Sequence, residues 1–130
     1  MKSFFLSLIA ATTLATALYA TPALAGPGHD HGPKHGGVVR EVRDITYELV
    51  ARPDSLTLHV SDHGKPVSTR GATAEAVIHA GSGKTTVSLT PAGDNRMTAQ
   101  GSFRVGVGVR VIVTTTLAGQ PPARASFNLK

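Results

Sequence analysis

The chain has no cysteine and no tryptophan, aromatic residues make up 5% of it, and only 16% of its residues are charged. Without cysteine there is no disulfide, no thiol nucleophile, no cysteine-ligated zinc or iron–sulfur centre and no lipid anchor on a cysteine. Scarce aromatics mean an aliphatic core, built on Val, Leu, Ile and Ala around Tyr47, Phe103 and Phe127. Basic residues form no run and do not interleave with aromatics. The formal charge of +5 therefore favours solubility and makes a poor case for nucleic acid. Sustained helical periodicity is missing too, and the only long apolar stretch runs from Phe4 to Ala20.

That stretch follows Lys2 and ends in Ala23-Leu24-Ala25 before Gly26, the positive, apolar and small-x-small order of a secretory signal. Residues 1–25 are therefore expected to be a cleaved signal peptide, leaving 26–130 as one domain with no membrane span. An exported domain without cysteine fits a bacterial periplasm.

Residues 26–37, GPGHDHGPKHGG, hold five glycines, two prolines and three histidines. Nothing in them can dock or hold a helix, so they are expected to form a disordered, mobile arm. From Val38 the pattern changes to period two, the strand signature. Ile45, Tyr47, Leu49 and Ala51 share a face, as do Leu56, Leu58 and Val60. The alternation recurs in Val87 and Leu89, in Met97 and Ala99, in Val109, Val111, Val113 and Leu117, and in Ala123, Ala125, Phe127 and Leu129. Breaker clusters at 52–55, 62–66, 81–83, 91–95 and 119–122 separate these runs. About seven short strands, each apolar on one face, can bury those faces by packing two antiparallel sheets. Residues 38–130 are thus expected to be an all-β, small antiparallel β-sandwich of immunoglobulin-like type, with a small barrel as the second arrangement that the pattern allows.

Two chemical signatures are absent. The segment Ala80 to Thr86 superficially resembles a phosphate-binding loop, but Ile78 stands where a glycine is required and a strand, not a helix, follows; it reads as a hairpin turn. No nucleophile elbow and no glutamate-containing zinc-histidine pair on a helix is present, so the chain is not expected to be an enzyme. Glu41, Asp44 and Glu48 lie close in sequence, as acidic residues on a solvated strand face do.

What is present is histidine. His29, Asp30, His31 and His35 put three imidazoles and a carboxylate within seven residues, able to converge on one divalent cation. Neutral imidazoles suit Zn, Cu(II), Ni or Co, and the want of cysteine argues against Cu(I). A flexible arm loses ordering entropy on binding, so affinity is modest unless the body adds ligands. His59, outward on its strand, and His63, in the turn beside Asp62, are the secondary candidates; His79 is a weaker one.

His35-Gly36-Gly37, Asp44, Tyr47-Glu48-Leu49-Val50, Leu56-Thr57-Leu58-His59-Val60, Asp62 to Val67, Pro91 to Asn95 and Phe127 together resemble small exported proteins of heavy-metal resistance loci. The chain is also similar to the N-terminal domain of periplasmic adaptor subunits of heavy-metal efflux systems of the resistance-nodulation-division type. This resemblance, over about His29 to Lys130, implies a β-sandwich that handles metal ions in the periplasm, with a component of such an efflux system as partner. Adaptors continue into further domains, so a chain stopping at Lys130 is expected to act as a free-standing metal binder or an accessory to the pump. Two other readings remain open: a protein-interaction module without a specific metal site, and a polyanion binder using Arg40, Arg43, Lys65, Arg70, Arg104, Arg110 and Arg124, which are scattered in the sequence.

Overall fold

The computed structural model describes residues 32–130. The signal segment 1–25 and the candidates His29, Asp30 and His31 lie outside the described residues. Nine strands follow in order: β1 (Val38–Val42), β2 (Ile45–Arg52), β3 (Ser55–Asp62), β4 (Lys65–Pro66), β5 (Thr73–Ala80), β6 (Gly83–Pro91), β7 (Arg96–Gln100), β8 (Arg110–Thr116) and β9 (Ala123–Asn128). Among the described residues there is no helix, and every pairing is antiparallel.

The ladder runs β1-β2-β3-β7-β6-β5-β8-β9, with β4 beside β3. β6 turns the corner: its first seven residues pair with β5, whereas only Thr90 and Pro91 pair with β7. The two ends of the path meet without a ladder. Arg40 on β1 donates from Nε to the Ser126 carbonyl on β9 at 2.9 Å, and Arg43 donates to the Pro122 carbonyl at 2.7 Å. The result is an antiparallel sheet nearly closed into a barrel.

The expected inward faces form the interior. Leu49, Leu56, Leu58, Val60 and Met97 come from one half, Val111, Val113 and Phe127 from the other, all essentially without solvent contact. Each such side chain stabilises the fold by roughly 1.5–3 kcal/mol through lost apolar exposure. Tyr47 is buried with them, while Phe103 is only partly buried and packs against the cluster's edge. β5 turns Ala74, Ala76, Ile78 and Ala80 inward; three of the four are alanines that carry little hydrophobic signal, so the sequence marks this strand only at its end, by the hairpin turn that follows.

Turns set the side-chain directions that matter below. At the β3–β4 turn, His63 (φ 49°) and Gly64 (φ 83°) both occupy left-handed space, as a two-residue type I′ hairpin requires. His63 tolerates this conformation better than bulkier residues do, and its Nδ1 lies 2.5 Å from Oδ1 of Asp62. The β5–β6 turn has Gly81 at φ 59° followed by Ser82 at negative φ, the signs of a type II′ turn.

Candidate functional site

Glu48 organises the candidate site. The β2 alternation puts it outward, where a solvated carboxylate is expected; instead it is only 5% exposed. Chain residues 34–37 fold over it. The carboxylate accepts backbone N–H bonds from Lys34 at 2.9 Å on Oε1, and from His35 at 2.8 Å and Gly37 at 2.9 Å on Oε2. Burial alone would push this carboxyl up, but the three N–H donors and the neighbouring His35 outweigh it and hold it below the ordinary carboxylate range. The end of the arm is thus tied to β2, a contact that glycine-rich composition does not reveal.

The two glycines after His35 serve different needs. Gly36 has φ 77°, left-handed space that a side chain rarely enters. Gly37 needs room: a Cβ there would sit 2.4 Å from the Leu49 carbonyl oxygen and 2.8 Å from its carbon. Both atoms are backbone of a central strand and cannot yield. His35-Gly36-Gly37 is therefore a bend followed by a close approach, which delivers three amides to one carboxylate.

This docking seats His35 on His59. Their ring centroids are 3.7 Å apart and the planes 10° from parallel. His59 stands on β3 directly opposite Glu48 on one side and Arg96 of β7 on the other. Burial first and then the His35 ring push the His59 imidazole below its ordinary pKa; Glu48 pulls it up by less, and Arg96 adds a smaller downward push. His59 is consequently neutral at neutral pH, the state that a metal ligand requires. His63 is shifted the other way, raised by its hydrogen bond to Asp62 and by that carboxylate's charge.

Of the expected ligands, His35 and His59 are brought together and His63 is not in contact with them. His63 lies four residues along from His59, roughly 13 Å at the rise of a strand. The Lys34 side chain bridges part of that interval, its Nζ lying 3.9 Å from where a Cβ on Gly64 would stand. His79 projects from β5 between Lys84 and Arg110 and takes no part. Among the described residues no three His, Asp or Glu side chains stand close enough to hold a metal ion. A face-to-face stack also aims the in-plane nitrogen lone pairs of the two rings past each other, so chelation by both needs one ring to turn.

Glu48 and Arg96 belong to this site and sequence reasoning missed both. For Glu48 a signal existed: the one acid of β2, set between Tyr47 and Leu49, with a glycine-rich segment just upstream. No family model, curated protein or solved structure matches the chain.

Proposed function

We propose that this chain is an exported, periplasmic binder of a divalent transition metal ion (Zn, Cu(II), Ni or Co), buffering or delivering it as an accessory to heavy-metal efflux or resistance. The observation that carries the reading is the latch of residues 34–37 onto Glu48, which places His35 on His59 and ties the arm's end to the histidine-bearing face of β3. The arm's donors His29, Asp30 and His31 lie within five residues of Lys34 in the sequence. His29, Asp30 and His31 can supply donors from the arm, with His35 or the neutral His59 completing the set. His63, in the β3–β4 turn one residue before Gly64, is the outer candidate. Anchoring removes part of the ordering cost that a free arm would bear on closing around an ion. All these donors are imidazole nitrogen or carboxylate oxygen, the set that suits the proposed metals. The ion is cargo here, and no catalytic step is proposed.

The resemblance to heavy-metal resistance proteins and to adaptor N-terminal domains supports this reading. Titration calorimetry of the protein with each metal tests it. Saturable binding that disappears when His29, His31 and His35 are all replaced by Ala is expected. Undetectable binding, or binding indifferent to the triple replacement, overturns it.

A further inference from the structure

The basic residues that are scattered in the sequence are partly gathered by the fold. At the end of the molecule opposite the His63 turn, β6 splays away from β7 and opens a cleft of about 740 Å³. Its walls are the β5–β6 turn, Gly81, Ser82 and Gly83, with Lys84 and Thr85, and the segment Ser102-Phe103-Arg104 that follows β7. That second wall is fixed by backbone bonds: Gly101 donates to the Asp54 carbonyl at 3.0 Å and Phe103 to the Pro53 carbonyl at 2.8 Å.

The lining has a definite chemistry. Lys84 and Arg104 bring two cations, Ser82, Thr85 and Ser102 bring three hydroxyls, and no carboxylate lines the cleft. Among the described residues neither the Lys84 ammonium nor the Arg104 guanidinium has a hydrogen-bond or ion-pair partner. Phe103, only partly buried, presents an apolar wall in the same cleft, with the buried Ile78 behind the lining. The space is in the range of small-molecule sites and far larger than a lone oxyanion needs.

We infer that this cleft binds a phosphate ester, its phosphoryl oxygens held by Lys84, Arg104 and the Ser82, Thr85 and Ser102 hydroxyls, and its organic part resting on Phe103. Arginine matches phosphoryl oxygens with a fork of N–H donors, and Lys84 adds a point charge. This is side-chain recognition across an open strand edge and uses neither a helix nor a glycine-rich nucleotide loop. It is independent of the metal reading, since the cleft lies beyond the start of β3 and the histidines lie along its second half.

The experiment is a two-arm titration of the isotopically labelled full chain. One arm adds glycerol 3-phosphate and follows backbone amides by NMR; the other measures co-sedimentation with phosphatidylglycerol vesicles against phosphatidylcholine vesicles. Saturable shifts confined to Gly81–Thr85 and Ser102–Arg104 are expected in the first arm if the ester is soluble. Selective sedimentation with phosphatidylglycerol is expected if it is a lipid headgroup. Either result should weaken at least tenfold in the double variant Lys84→Ala, Arg104→Ala and persist in Lys84→Arg and in Arg70→Ala, which removes an exposed charge elsewhere. Both side chains of the double variant are exposed, and its amide spectrum verifies that it remains folded. Silence in both arms, shifts spread over the whole basic surface, or an equal loss in Arg70→Ala overturns the inference.

Discussion

Glu48 is the residue on which most depends, because three backbone amides rely on one carboxylate. Glu48→Ala leaves those amides without their acceptor in a partly buried place and should cost about 1–3 kcal/mol, read from denaturant unfolding, with loss of the His35–His59 stack. The pH dependence has a definite sign. A carboxyl held below its unfolded value contributes stability that is present above the ordinary carboxylate range and is lost as pH falls through the lowered folded value. The Gly37 amide resonance should therefore hold its position through the ordinary carboxylate range and move only on further acidification. Gly37→Ala tests the same latch from the other side: the added methyl meets Leu49 backbone, so the strap must lift while the barrel stays folded, seen as rapid hydrogen exchange confined to residues 34–37. For the histidines, ring-proton titration by NMR should place His59 below about 6.5 and His63 above it, since burial opposes the charged form of one and Asp62 favours it in the other. The reverse order would show that the β3 imidazole is not the neutral donor.

At the scale of elements, the β1–β2 turn carries an avoidable strain. Arg43 (φ 50°) and Asp44 (φ 68°) both stand in left-handed space, where Asn-Gly is preferred. Replacing the pair with Asn-Gly should change stability little or raise it by up to about 1 kcal/mol, with the Arg43 bonds to the Pro121 and Pro122 carbonyls as the offsetting loss. A fall of more than that would mean that these side-chain bonds hold β1 against β9. The elements also show what the sequence could and could not reveal. Strands with branched or bulky inward residues, Leu56-Leu58-Val60 and Val111-Val113, were legible because alternation of large apolar with polar residues has no other cheap explanation. β5 was legible only at its end, from the hairpin turn after it, since its inward face is mostly alanine. Turn positions were legible from Gly, Pro and Asp, and all five expected breaker clusters fall at strand junctions. The latch was hidden for a different reason: Glu48 and residues 34–37 are joined only by tertiary contact, and composition of the arm speaks of freedom, not of where its end is tied.

For the whole molecule, two features are kept apart by the length of β3: the histidine face with the arm's end, and the basic cleft beside the β5–β6 turn. The near-closed barrel fixes both from one core, so a core truncation such as Phe127→Ala should destabilise the domain by about 3–5 kcal/mol and loosen each equally. Metal binding, in contrast, should act on the fold only if the body contributes a ligand. A metal held by both arm and body stabilises the folded state by mass action, about 2.7 kcal/mol at a hundredfold excess over Kd, and should raise the melting midpoint by roughly 10 °C. An ion held by the arm alone would leave the midpoint unmoved. The most direct measurement compares ion uptake by the full chain with uptake by a chain beginning at Val38, after circular dichroism has shown the latter to be folded. The account predicts that the shortened chain takes up no ion with the parent's affinity; equal uptake by the two would contradict it.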